Sequence, residues 1–128
     1  MIYLDTSVAL AHLFGENRAP PSTLWRERLV SSQLLAYELW NKLHTRGLTR
    51  SHADEAKALL AFVSLIDLTP PALARALEPY PTPIGTLDGL HLATIEFLRA
   101  GGEEIELASY DRKLLACARA LGIAIYAL

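Results

Sequence analysis

Asp5, Glu38, Asp88 and Asp111 are the residues whose types and settings are suited to chemistry. Asp5 follows a short apolar run, Ile2-Tyr3-Leu4, and Asp111 follows another, Leu107-Ala108. Each therefore sits where a buried strand would end, and in open parallel sheets ligands bind beyond the carboxyl ends of the strands. Glu38 has Leu34, Leu35, Leu39 and Trp40 as near neighbours. A carboxylate in such a stretch is partly buried, and burial without a partner is costly. Asp88 falls in the first turn of an expected helix. Taken singly, Asp5 and Asp111 read equally well as helix N-caps, and Asp88 reads better as a charge favoured by the helix dipole. Taken jointly, the four form an oxygen-rich set of the kind that selects Mg²⁺, or Mn²⁺ in its place. Such an ion polarises a phosphoryl oxygen and lowers the pKa of bound water, producing a nucleophile near neutral pH.

The elements that must hold these acids follow from periodicity. A strand at 2–4 leads into a helical stretch at 7–14. Pro20 and Pro21 break the chain before a short turn near Trp25 and a weak strand at Leu29-Val30. Ser32 is placed to cap a helix over about 34–46, in which Leu35, Leu39 and Leu43 form one stripe and Gly47 stops the run. Ser51 or Thr49 would cap the next helix. A third strand is expected at 65–68, a short helix opening at Pro70-Pro71, and an extended loop through Pro79, Pro81 and Pro83. A helix at about 87–99, a strand at 105–109, a helix at 112–121 and a strand at 123–127 complete the chain. This alternation predicts an α/β fold, with a mostly parallel sheet of about four to five strands flanked by helices on both faces.

Residues 1–128 suit a single compact domain. Hydrophobic residues make up 52% and charged residues 20%, which excludes disorder, while no apolar run is long enough to span a bilayer. The opening segment lacks a basic leader and carries Asp5 inside its apolar stretch, so it reads as strand and helix and not as a signal peptide. One cysteine, Cys117, rules out an internal disulfide and makes the cytoplasm the expected compartment. The formal charge of −2 gives no global sign of a polyanionic partner; setting aside the four acids leaves 12 basic against 10 acidic residues, a mildly basic remainder.

The segments YLDTSVAL, LLAYELWNKL, TLDGLHLA and ELASYDRKLLACARALGI, in this order and spanning nearly the whole chain, resemble the successive signatures of PIN domains. The short length and the LDGLHLA segment resemble most closely the toxins of VapBC toxin–antitoxin pairs. That resemblance implies a PIN-like fold and a Mg²⁺-dependent endoribonuclease held inactive by a cognate antitoxin. It also implies that Asp5, Glu38, Asp88 and Asp111 are the catalytic, metal-binding quartet. Thr6 matches the residue after the first acid, and Ser109 matches the small hydroxyl residue found two positions before the last; both are supporting residues. Gly89 departs from the alanine common in that segment, softening the helix by up to about 1 kcal/mol. Gly85 stands where a basic residue often precedes, which weakens any inference about how RNA is gripped.

Other residues were weighed against blander roles. His91, three residues after Asp88, could share its helix face, but a structural, hydrogen-bonded histidine is the better reading. His12, His44 and His52 lack zinc-ligand spacing. Arg18, Arg26 and Arg28 around Trp25 read as a solvated face more readily than as a phosphate-binding edge. Arg112 and Lys113 open a helix where positive charge opposes the dipole, which makes them candidate RNA-phosphate contacts. The leading expectation is an RNA-cleaving enzyme with a protein antitoxin partner, a homodimer, and no membrane association. The alternatives are a non-catalytic PIN-like scaffold binding RNA or protein, and a phosphoacceptor domain of flavodoxin-like type. The second needs a lysine near the acids, and Lys42, Lys57 and Lys113 are the chain's only lysines. Apolar residues on the helices at 34–46 and 58–65, Trp40 among them, lead to the expectation of an exposed groove for a partner helix.

Overall fold

In the computed structural model, which describes residues 1–15 and 17–128, five strands form one sheet in the order β3-β2-β1-β4-β5 with every neighbouring pair parallel. The strands are β1 (Ile2–Leu4), β2 (Leu29–Ser32), β3 (Val63–Ile66), β4 (Glu106–Ala108) and β5 (Ala124–Ile125). The helices are α1 (Thr6–Phe14), α2 (Gln33–Thr45), α3 (Thr49–Ala61), α4 (Pro70–Ala76), α5 (Thr86–Ala100) and α6 (Arg112–Ala120), with a 3₁₀ turn at Ser22–Arg26. Parallel neighbours require crossover connections, and the helices supply them. Side chains alternate across each strand, so β1 sends Ile2 and Leu4 to one face and Tyr3 to the other. Ile2 and Leu4 pack with Leu13 of α1, the Leu35-Leu39-Leu43 stripe of α2 and Leu59 of α3. Tyr3 packs with Leu92 and Ile95 of α5 and with Leu114 and Cys117 of α6. The expected α/β fold with both faces covered is therefore the observed one.

Several boundaries differ from expectation for identifiable reasons. β3 runs over 63–66, two residues earlier than expected, because Val63 pairs with Leu29 and Ile66 with Ser32; the chain must then leave the sheet before Thr69 caps α4. Neither Thr49 nor Ser51 caps α3: the capping position is Leu48. The Thr49 hydroxyl is paired with His44 Nδ1 at 2.7 Å, and Ser51 Oγ donates to the Leu48 carbonyl. β5 is shorter than expected, since only Ala124 and Ile125 pair with β4. Ser32 does cap α2, accepting from the Leu34 amide, and Gly47 follows that helix at φ +67°, a conformation strained for any side chain. Gly89 has a packing reason: a Cβ there would meet the Tyr80 ring at 3.3 Å, and Tyr80 donates its hydroxyl proton to the Gly89 carbonyl at 2.5 Å.

The apolar hollow uses the expected Leu59 and Phe62 but none of the helix expected at 34–46. A cavity of about 320 Å³ is bounded by Leu13, Trp25, Leu59 and the exposed Phe62, between α1, the 3₁₀ turn and α3. Trp40 is outside it, half-buried and stacked with His44.

Candidate active site

Asp5 leaves β1 with its amide bonded to the Ala108 carbonyl of β4, so the first strand ends beside the fourth. Its side chain caps α1, and Oδ2 accepts from Ser7 Oγ at 2.5 Å, Ser109 Oγ at 2.8 Å and, more weakly, the Ser7 amide at 3.4 Å. Burial of this carboxylate, only 5% exposed, is offset by those donors. Ser109 Oγ also accepts from the Asp111 amide at 2.9 Å, and Ser7 Oγ accepts from the Tyr110 amide at 3.0 Å. Two hydroxyls thus tie the end of β1 to the end of β4. Ser7 was missed in the sequence: two residues after Asp5 it looks like part of a local turn, and nothing local signals a partner 103 residues away.

Asp111 caps α6, with Oδ1 accepting from the amides of Lys113 at 2.9 Å and Leu114 at 3.1 Å. The N-cap reading of Asp5 and Asp111 is therefore correct, and it does not compete with a site role. In each case the capping bonds fall on one carboxylate oxygen, which leaves the second free of them.

Glu38 lies in the second turn of α2, partly buried. Its Oε1 meets His91 Nε2 at 2.6 Å, and His91 Nδ1 meets Tyr3 Oη at 2.7 Å. Tyr3 Oη also accepts from the Ser32 amide at 3.1 Å. The directions are consistent if Tyr3 donates to Nδ1 and the Nε2–H of a neutral imidazole donates to Glu38. Burial pushes the Tyr3 phenol far up, which keeps it a donor. His91 is thus the buried, hydrogen-bonded histidine expected, although its partner is Glu38 and not Asp88.

Asp88 occupies the first turn of α5, half-buried. Withdrawal from water, then the charges of Asp5 and Asp111, raise its carboxyl from the ordinary value of 3.8 to about 6; Glu38 adds to the rise and His91 opposes it. Asp5, Glu38, Asp88 and Asp111 line one cavity of about 370 Å³, with Thr6 and Lys42 also on its wall. Arg112 and Lys113 are exposed and line no part of it.

The lining fits a hydrated divalent cation. The four carboxylates are hard oxygen donors, and Thr6 Oγ1 is a buried hydroxyl with no protein partner among the described residues. Among those residues, no three acids or histidines are drawn together as a ready coordination shell. That suits Mg²⁺, which keeps several waters and takes only one or two protein carboxylates directly.

The chain matches the PIN domain model over residues 2–119 and belongs to that family. Among characterised relatives it is similar to Ribonuclease VapC47 of Mycobacterium tuberculosis (strain CDC 1551 / Oshkosh), 27% identical over 129 residues that cover 95% of this chain and 93% of that one. Among solved structures it resembles Mycobacterium tuberculosis VapC20, a sarcin–ricin loop cleaving toxin, with a TM-score of 0.70, 21% identity and coverage of 91% and 94%. It also resembles a toxin–antitoxin complex from Klebsiella pneumoniae, with a TM-score of 0.60, 17% identity and 91% of each chain covered. At these identities the structural likeness establishes the shared fold.

Proposed function

We propose that this chain is a metal-dependent endoribonuclease and the toxin of a type II toxin–antitoxin pair. The observation that carries the reading is the convergence of four carboxylates, from four separate elements, on one cavity at the carboxyl ends of β1 and β4. The PIN-family scaffold and the similarity to a ribonuclease, a toxin and a toxin–antitoxin complex support this substrate class and biological setting.

Asp5 and Asp88 would hold Mg²⁺ or Mn²⁺, with Asp111 and Glu38 completing the set or orienting its waters. When bound, the cation supplies positive charge against the phosphoryl oxygens and acidifies the attacking water. The chain's own residues do the positioning. Ser7 and Ser109 fix Asp5 by donating to Oδ2, so its free oxygen keeps one direction. His91, held by Tyr3, fixes Glu38. Asp88 must lose its proton to serve as a ligand, and a carboxyl raised to about 6 keeps it until near neutrality. Thr6 Oγ1 is free to bond a water in the cavity.

An antitoxin segment is the proposed protein partner, with the apolar hollow at Trp25, Leu59 and Phe62 as a seat for its helix, and a homodimer is proposed as the solution state. No helix among the described residues is long and apolar enough to cross a membrane, and the cytoplasm is the proposed compartment. The test is cleavage of a labelled RNA with Mg²⁺, with Mn²⁺ and with EDTA, using the parent and Asp5→Asn. Cleavage by the parent in the metal arms alone, lost in the variant, is expected. RNA binding without cleavage in either metal arm would overturn the enzyme in favour of a non-catalytic scaffold.

A further inference from the structure

Beside the acidic cavity lies a larger one of about 660 Å³, lined by Arg18, Lys42, Arg46, Asn17, Ser7 and Tyr110. The two share Ser7, Leu10 and Lys42 and so adjoin. Their charges are opposite: four carboxylates line the first, while the described lining of the second carries three cations and no acid. One face of α2 crosses from one to the other. Glu38, Lys42 and Arg46 recur every four residues, which aligns them along the helix. Glu38 and Lys42 line the acidic cavity, and Lys42 and Arg46 line the basic one.

The two arginines are held in place. The Arg18 guanidinium lies over the Tyr110 ring, 5.6 Å from its centroid, and donates to the Tyr110 carbonyl at 3.3 Å. Tyr110 is in turn bound through its amide to Ser7, the residue that fixes Asp5. The Arg46 guanidinium sits 4.5 Å from the Phe14 ring centroid. Among the described residues none of the three forms an ion pair. Stacked arginines with no carboxylate partner among the described residues, on the wall of an open cavity, present donors to an anion.

We propose that this basic cavity is a phosphate-binding subsite that grips the RNA backbone to one side of the bond cut in the acidic cavity. The proposal rests on the ribonuclease reading above. An RNA strand entering a cavity of four acids is repelled there and needs an adjoining cationic surface to hold it. From Glu38 to Arg46 the helix rises about 12 Å. At a stacked rise of about 3.4 Å per nucleotide, that distance places Arg46 three or four nucleotides from Glu38. An acidic peptide of a partner protein is the competing occupant. RNA is favoured because the cavity is continuous with the proposed cleavage site through Lys42, so a single strand can occupy both.

The experiment measures equilibrium binding of a fluorescein-labelled single-stranded RNA in EDTA, where no cleavage occurs, over a range of KCl concentrations. For single strands each phosphate contact contributes about 0.7 to the slope of log affinity against log salt. Lys42→Gln and Arg46→Gln are each expected to lower the slope by about 0.7, and the double variant by about 1.4. Arg46→Lys should keep the parent slope, which separates lost charge from lost structure. Arg119→Gln, on the exposed end of α6, should leave it unchanged and so controls for net charge. A double variant that melts like the parent and binds with the parent slope overturns the subsite. So does a double variant that keeps its RNA slope but no longer captures a co-expressed antitoxin, which would assign the cavity to protein. If the parent cleaves RNA and the slopes do not change, only the subsite fails. If the slopes fall as expected and the parent cleaves nothing in Mg²⁺ or Mn²⁺, the enzyme reading fails and an RNA-binding cavity stands.

Discussion

Replacing Asp88 by Asn should stabilise the metal-free protein near neutral pH, the reverse of what loss of a helix-start carboxylate ordinarily does. Asp88 has its folded pKa raised from 3.8 to about 6, first by withdrawal from water and then by Asp5 and Asp111. An acid raised on folding binds more protons in the folded state, so ionisation penalises the fold. The penalty is absent below about pH 3.8, develops as pH rises between the two values, and is complete above about 6. At 1.36 kcal/mol per unit, a rise of about two units corresponds to about 3 kcal/mol for a group fully removed from water. Asp88 is only half-buried, and solvent screening brings this to about 1.5 kcal/mol. Asparagine forfeits the favourable dipole interaction of a first-turn charge, about 0.5 kcal/mol, which leaves a net gain of about 1 kcal/mol. For 128 residues at about 2.1 cal/mol/K each, that is about 4 °C in Tm. Thermal unfolding of both proteins in EDTA at pH 7.5 and pH 4 measures it. The variant should melt higher at pH 7.5 and level with the parent at pH 4. A variant that melts lower at pH 7.5, or a gap of equal size at both values, would refute the electrostatic account of Asp88.

Millimolar Mg²⁺ or Mn²⁺ should raise the Tm of the parent, by about 2.7 kcal/mol of added stability at a hundred times Kd, and the gain should shrink in Asp88→Asn; no shift with either ion in chelator-free buffer would count against a metal site. Asp5→Asn should abolish divalent-dependent cleavage with little change in Tm, because asparagine caps a helix as well as aspartate does; full cleavage at matched folded concentration would remove Asp5 from the mechanism. Tyr3→Phe strands the buried Ser32 amide and His91 Nδ1 and should lower stability by about 2–3 kcal/mol, read by urea unfolding. An unchanged midpoint there would show that the Tyr3–His91 bond does not support the core.

The architecture was legible because each element carried its own period. The Leu35-Leu39-Leu43 stripe and the run Ile2-Tyr3-Leu4 could each be buried in one way only. Strand ends were less legible, since pairing with a neighbour sets them: β3 begins at Val63 because Leu29 is opposite it. The helix at 49–61 was legible but its cap was not, because the hydroxyls of Thr49 and Ser51 bond to His44 and Leu48. In the acidic cavity, the four carboxylates could be picked out through their settings and the family signatures. Of the groups that hold them, Ser109 and a hydrogen-bonded His91 could be named, but Ser7 and the pairing of His91 with Glu38 could not. Ser7 and His91 also bond to partners 53 to 103 residues distant, and no local pattern encodes such a pairing. The cationic wall was legible only in part. Arg18 was grouped with Arg26 and Arg28 by proximity in the chain, whereas the fold sets it beside Lys42 and Arg46.

His91 shows how the core and the cavity constrain each other. It is 1% exposed, and a buried imidazole must have both ring nitrogens satisfied. Tyr3, at the centre of β1, supplies the inner partner, and Glu38 supplies the outer one at the edge of the cavity. Tyr3 stays a donor because its phenol is buried and its oxygen already accepts from the Ser32 amide, which begins α2. The same amide, hydroxyl and imidazole therefore fix the start of α2, its distance from α5, and the direction of Glu38. A glutamate on a solvated helix samples many rotamers, and ordering it for a ligand has an entropic cost at the moment of binding. Here the ordering belongs to folding. Glu38 reaches the cavity with one oxygen already held, just as Asp5 and Asp111 reach it with one oxygen committed to a helix start. Three of the four acids are anchored in this way, and the fourth, Asp88, has no such bond to a protein donor among the described residues and carries the raised pKa. The carboxylate least restrained by hydrogen bonds is thus also one whose ionisation is opposed, first by burial and then by the charges of Asp5 and Asp111.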